Sequence, residues 1–382
     1  MSAPRWSSPR PLIRAFSRSD SLRSSQTPWP FPANARVIVV APHPDDESLA
    51  TGGVLQQARA DNAEVRILML TSGDNNPWVQ RLVEHRVSIG PADRERWAQR
   101  RQAEARASLE CLGLPQDAIT FLNFPDQGLT PMLKAGDDTL VSRMEKEIGD
   151  FGPTLLLSPS PADLHPDHSA AAVFVAMALR RLATRIPLPE LLEYLVHTRG
   201  RPALRAVYLH LTPLQTHFKR KAILCHEAQF AFSRRWFLGF ATDRECLIVP
   251  GSTYTTNGHG IHLTADRTSL RLQLHPQSSL GAFGPITLCL AAAQAGRTVS
   301  RLSIPLPLGS SRESLPIFDQ LARDGNLPRA MRLPVDAEFY RRPLELRIPR
   351  AALPEHDQLW AKCERRFGFF DEMGWVDLSE SG

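Results

Sequence analysis

The sequence predicts a mainly parallel α/β sheet with helices on both faces, followed by a small β-rich, sandwich-like domain. Two observations carry this. Short apolar runs alternate with helical segments from residue 36 onward, as in a sheet of crossover units. After about residue 250 the texture changes to period-two alternation, the mark of half-buried antiparallel strands.

Residues 1–35 are rich in Arg, Ser and Pro, without an apolar stretch ending in a small-residue cleavage site, and read as a flexible tail. Val37-Ile38-Val39-Val40 then reads as a strand buried on both faces. A loop, Pro42 to Asp46, leads into a helix over about 47–61, and 63–70 forms a second strand. A polar insertion at 75–95 precedes a helix running to Leu112, which Gly113 stops. Further strands are expected at 119–124, 154–158 and 191–196, with helices at about 138–150 and 168–185. Residues 36–250 are thus expected to form one domain. A turn-rich link, 251–260, begins a second at 251–382. There Leu270/Leu272/Leu274, Leu302/Ile304/Leu306 and Leu344/Leu346/Ile348 each alternate.

The formal charge of +5 suggests a nucleic-acid partner until it is located. Residues 1–36 hold six Arg (Arg5, Arg10, Arg14, Arg18, Arg23, Arg36) against Asp20 alone, a local +5. The rest is neutral and offers no broad basic face to phosphates. The five cysteines are scattered and odd in number, with no C-x-x-C pair; this fits a reducing compartment, and the cytoplasm is expected. The longest apolar run, Ala170 to Leu179, is too short to span a bilayer.

Two clusters carry chemistry. Pro42-His43-Pro44-Asp45-Asp46-Glu47 follows the first strand, at the carboxyl end where open α/β sheets place their sites. His165-Pro166-Asp167-His168 follows the strand at 154–158. Together they offer two imidazoles and a carboxylate to one ion through His43, Asp46 and His168, with a coordination position left open, as in catalytic zinc sites. An ion so held lowers the pKa of its water to about 7. Asp45 is then the candidate general base, and His165 is free to face an oxyanion or protonate a leaving nitrogen. Asp167 is expected to orient His165. The bland alternatives are helix caps for Asp45 or Asp46 and a helix start for His168; two clusters, each at a strand end, favour the metal reading.

The P-H-P-D-D-E and H-P-D-H stretches, about 120 residues apart, resemble the two signatures of the LmbE-like (PIG-L-like) deacetylases. Thr71-Ser72-Gly73-Asp74, Arg101-x-x-Glu104, Pro125-Asp126 and Lys221-Ala222-Ile223-Leu224-x-His226-x-x-Gln229 extend the resemblance over roughly 36–235. It implies a Rossmann-like zinc fold that removes acyl, mostly acetyl, groups from amino sugars or glycoconjugates. Carried over, it makes His43, Asp46 and His168 the zinc ligands, Asp45 the base and His165 the electrostatic or acid partner, with Asp167 behind it. It also implies that Arg101 and Asp126 contact the sugar and that His226 reaches the pocket. Position 163 is Asp where some relatives carry a pocket Tyr. Iron(II) suits the same ligands as zinc.

Two other readings use these residues: a non-haem iron(II) oxygenase, and a metal-containing glycan-binding protein without turnover. A small-molecule or glycoconjugate partner is expected, with neither nucleic acid nor a membrane span. Trp360, Phe367, Phe369, Phe370 and Trp375 read as a core or domain interface, or else as a sugar-stacking platform.

Overall fold

The computed structural model describes residues 31, 34–198, 206–251, 260–265, 268–275, 286–306, 312–324, 327–338, 344–365, 369–371 and 373–379. The tail reading for 1–35 and the link at 251–260 fall almost wholly outside these residues, as does Phe367.

The first sheet contains β1 (Arg36–Ala41), β2 (Glu64–Thr71), β3 (Ile119–Phe124), β4 (Leu155–Pro159), β5 (Glu190–Tyr194), β6 (Ala206–His210) and β7 (Arg244–Ile248). Its order is β3-β2-β1-β4-β5-β7-β6. The first five are parallel, while β7 runs antiparallel to both β5 and β6. Eight helices accompany it among the described residues: α1 (Asp46–Ala60), α2 (Pro77–Glu84), α3 (Pro91–Cys111), α4 (Leu129–Ala135), α5 (Thr139–Phe151), α6 (Pro166–Leu182), α7 (Pro213–Leu224) and α8 (Phe230–Leu238). This is the expected Rossmann-like architecture, with helices on both faces. The sequence reading did not resolve α2, α4, β6, β7, α7 or α8.

β1 explains why its run is continuously apolar. Val37, Val39 and Ala41 enter one core with residues of α1, α3 and α7, while Ile38 and Val40 enter another with α4, α5 and α6. Alternate side chains point to opposite faces, so a strand covered on both sides needs apolar residues throughout.

The second sheet is antiparallel: β8 (Gly260–Ala265), β9 (Ser269–His275), β10 (Ile286–Gln294), β11 (Arg297–Leu306), β12 (Arg312–Asp324), β13 (Leu327–Glu338), β14 (Leu344–Pro349), β15 (Gln358–Arg365) and β16 (Val376–Asp377). Its own core takes Leu270, Leu272 and Leu274 of β9, Leu302, Ile304 and Leu306 of β11, and Leu346 and Ile348 of β14, the alternating positions seen in the sequence.

This sheet lies against the helices. Cys289, Ala291 and Ala293, one face of β10, join Trp360 and Trp375 in the core that α4, α5 and α6 share with the first sheet. Polar contacts reinforce the joint. The buried Arg301 donates Nε to the Leu133 carbonyl at 2.6 Å, and Asp138 accepts from Thr298 Oγ1 at 2.6 Å and Arg181 Nη2 at 2.9 Å. Trp360 and Trp375 are therefore interface core.

Candidate metal centre

In this strand order the connections leave β1 and β4 in opposite directions, so a crevice opens between their carboxyl ends. β1 delivers His43, Asp45 and Asp46; β4 delivers Asp163, His165 and His168. The chain brings the two clusters together there. His43 Nδ1 lies 3.2 Å from His168 Nε2 and 3.4 Å from Asp46 Oδ2, and His168 Nε2 lies 3.1 Å from the same oxygen.

That triangle fits a metal. Three ligands of a tetrahedral ion with bonds of about 2.0–2.1 Å stand about 3.3 Å apart. The three atoms are the donor types zinc and iron(II) accept, and they sit among further buried carboxylates that a cation would balance. Asp46 is desolvated, which raises its pKa, but His168 and His43 outweigh this and hold it well below the usual range.

Each imidazole also presents its other nitrogen to carboxylates. His168 Nδ1 is 3.3 Å from Asp163 Oδ2. His43 Nε2 is 3.3 Å from Asp126 Oδ1 and 3.4 Å from Asp167 Oδ2. Such partners fix which nitrogen is left for a metal. Asp163 is itself pinned, accepting from the backbone of His165 at 2.9 Å, Val196 at 2.8 Å and His197 at 3.1 Å.

Asp45 is the N-cap of α1, yet its side chain makes no capping bond, and its backbone is at φ 146°. For a residue with a Cβ this is a strained conformation. Glu47 holds it there, accepting from the Asp45 backbone N–H at 2.9 Å. The freed carboxylate receives Arg101 Nη2 at 2.8 Å. Burial raises the Asp45 pKa, with Arg101 opposing, to about 7. Arg101 also donates to the carbonyls of Pro44 at 2.6 Å and Gly73 at 3.0 Å. Only glycine serves at 73: φ is 62°, and a Cβ would lie 1.9 Å from Arg101 Nη1.

His165 is the N-cap of α6, and its Nδ1 accepts from the Asp167 backbone N–H at 3.2 Å. The acceptor role leaves the proton of the neutral ring on Nε2. Burial, then the charges of His43, His168 and His197, hold its pKa well below the usual value.

The expectation that the Asp167 carboxylate orients His165 is corrected here. Its oxygens accept from the backbone of Gln127 at 2.7 Å and Leu129 at 3.1 Å and face His43; only its backbone N–H meets His165. The reason is helical geometry: the first side chain of the pair caps, while the second points to the neighbouring loop.

Arg101, Asp126 and His226 are all buried, and each meets another protein group. Arg101 is on Asp45; Asp126 faces His43 and accepts from Asn75 N–H at 2.8 Å; His226 Nε2 is 3.0 Å from Glu47 Oε1. Two residues without a role in the sequence reading belong to the site: Asp163 and Glu47. Glu47 was legible as the last letter of P-H-P-D-D-E; Asp163 stood out in the sequence only as a departure from relatives with a pocket Tyr, without a role of its own.

Around His165 stands an aromatic group. Phe369 meets it edge-on at 4.9 Å between centroids, and His197 at 5.1 Å. His197 in turn stacks on Trp236 at 5.4 Å and meets Phe370 at 5.2 Å.

The family model for PIG-L, described as GlcNAc-PI de-N-acetylase, matches residues 38–179. The 1D-myo-inositol 2-acetamido-2-deoxy-alpha-D-glucopyranoside deacetylase of Rhodococcus jostii (strain RHA1) is 28% identical over 151 residues, covering 35% of this chain and 49% of that protein. Its namesake in Mycolicibacterium smegmatis is 27% identical over 161 residues, 38% of this chain and 53% of that protein. The chain thus spans about half the length of these curated relatives. Among solved structures, the N,N'-diacetylchitobiose deacetylase from Pyrococcus horikoshii has a TM-score of 0.40 at 21% identity, covering 52% of this chain and 71% of that one. Residues 38–179 are thus the stretch that matches the PIG-L (LmbE-like) family.

Proposed function

We propose that the protein is a metal-dependent hydrolase that removes an acyl group from the amide nitrogen of an amino sugar or glycoconjugate. The observation that carries this reading is the 3.1–3.4 Å triangle of His43 Nδ1, Asp46 Oδ2 and His168 Nε2, with the Asp45 carboxylate in the adjoining position of the loop. The named relatives, which are deacetylases of an acetamido-sugar inositol conjugate, point to the same substrate class. Residues 36–250 would form the catalytic domain and 251–382 an accessory one.

His43, Asp46 and His168 would hold zinc or iron(II). Once bound, the cation supplies Lewis-acid polarisation and acidifies water. Asp45 takes a proton from the attacking water as the C–O bond forms. It returns that proton to the nitrogen as the C–N bond breaks, leaving a carboxylate and an amine. Arg101 aims the Asp45 carboxylate. His165 offers its Nε2–H to the developing oxyanion; this hydrogen-bonding role suits a neutral ring better than that of an acid. Asp163, Asp126 and Asp167 orient the ligand imidazoles. Among the described residues no helix is long and apolar enough to cross a membrane. The free cysteines accord with the cytoplasm as the working compartment.

The test is amine release from N-acetylglucosamine and its conjugates by zinc- or iron-loaded protein. Stoichiometric metal with release lost in Asp45→Asn is expected. Metal-loaded protein that binds glycans without releasing amine would favour a binding role instead.

A further inference from the structure

The aromatic group beside His165 opens to solvent. Trp236 is 42% exposed, and Phe369 and Phe370 are each 46% exposed. They are not scattered: the contacts run from His165 through Phe369 and Phe370, and through His197 to Trp236. His165 itself packs 4.6 Å from His43. An exposed apolar band thus begins one ring away from the proposed metal ligands, where a contiguous patch marks a binding surface.

The band is also anchored. Asp371 donates its backbone N–H to the Leu164 carbonyl at 2.9 Å, and its carboxylate meets Lys362 Nζ at 2.7 Å. Gly374 lets the chain press on the loop before His165: a Cβ there would stand 2.0 Å from the Pro161 carbonyl oxygen. Trp375 is fully buried next to it. The second sheet therefore holds Phe369 and Phe370 at the edge of a site whose ligands all come from the first domain.

The two sides of the site differ in chemistry. Arg101 and Asp126 stand with Asp45 and His43 on one side, whereas beyond His165 the exposed surface is the ring faces of Trp236, Phe369 and Phe370. Because Asp45 must reach the nitrogen to return its proton, the amine half of the amide belongs on the Asp45 side. The acyl half then extends past His165. Resting on the hydrolase reading above, we infer that Trp236, Phe369 and Phe370 form an acyl subsite that takes an apolar chain longer than acetyl.

The experiment compares glucosamine release from N-acetyl-, N-butanoyl- and N-octanoyl-glucosamine by the metal-loaded full chain. 4-Nitrophenyl N-acetyl-β-glucosaminide serves as the substrate with its apolar group on the amine half. Since each buried methylene strengthens binding, kcat/KM for the octanoyl amide should exceed that for the acetyl amide by about tenfold or more. That ratio should fall to near one in F369A/F370A and persist in F369L/F370L, which keeps the surface apolar. No octanoyl preference, a preference surviving F369A/F370A, or a preference for the aryl glycoside alone would overturn the acyl subsite and leave the hydrolase standing. Release from none of the four overturns the hydrolase itself, and the subsite with it.

Discussion

Arg101 Nη2 stands 2.8 Å from Asp45 Oδ2, with both side chains buried and the guanidinium also donating to the Pro44 and Gly73 carbonyls. The guanidinium thus ties the carboxylate to two backbone turns at once. Lysine cannot reproduce a planar fork of this kind. Arg101→Lys should therefore lower kcat by about 10–100-fold through misplacement of Asp45, with KM changed little. Steady-state kinetics on N-acetylglucosamine conjugates give the split, and a variant with unaltered kcat would remove Arg101 from the positioning role.

Asp45→Asn separates chemistry from metal binding. The amide keeps the shape and can still meet Arg101, but it cannot take a proton. Turnover should fall by about 10²–10⁴-fold while metal content stays at one ion per chain. Elemental analysis alongside amine release makes the comparison; loss of the metal as well would mean that Asp45 is a ligand.

The carboxylate behind His168 should show itself in affinity. Removing such a partner typically weakens metal binding by about 10–100-fold, and Asp163→Ala should do the same. Competition with a chromogenic chelator measures it. Asp163→Ala protein with wild-type affinity would show that the 3.3 Å contact with His168 has no bearing on the site.

Much of this site was legible because it is local. P-H-P-D-D-E and H-P-D-H each fix their residues within one loop, and apolar runs before both placed those loops at strand ends. What escaped is which groups the named residues touch, because that depends on which strands are neighbours. Asp126 follows β3, yet it reaches His43 at the end of β1, two strands away. Asp163 gains its role only when β4 lies against β1. Arg101 has a side chain long enough for several destinations, and the glycine at 73 that admits it to Asp45 is visible only once α3 is packed. The β6, α7, α8 and β7 region was missed because those segments mix apolar and charged residues without a clean period. The second sheet was legible at β9, β11 and β14, whose alternate residues enter its core; β10 and β15 feed that core too, but their opposite faces also pack against apolar groups, which hides the period.

Metal should also support the fold. His43 and His168 lie on different loops, so an ion joining them binds the folded chain and not the unfolded one. At a free metal concentration 1,000-fold above Kd the gain is about 4 kcal/mol. Thermal unfolding should shift down on chelation and recover when zinc is restored. In His168→Ala the shift should vanish, and a chelator effect that survives there would point to a different site.

Gly374→Ala tests the joint between the sheets. The added methyl meets the Pro161 and Asp163 carbonyls at 2.0 and 2.7 Å, both backbone atoms that cannot swing away. Overpacking of this kind costs about 1–3 kcal/mol. Chemical denaturation should show that loss, and an unchanged midpoint would mean that the 369–375 segment sits more loosely than these distances require.

The bond from Asp371 to the Leu164 carbonyl ties residues distant in sequence, and it has a bearing on the order of folding. Closing so long a loop carries a large entropic penalty, which delays contacts of this kind behind the local strand and helix pairings. The ligand loops, supported by their own crossover units, can therefore reach their places before the rim does. A nascent or refolding chain would pass through a stage in which the metal cradle exists with one side of its mouth unbuilt.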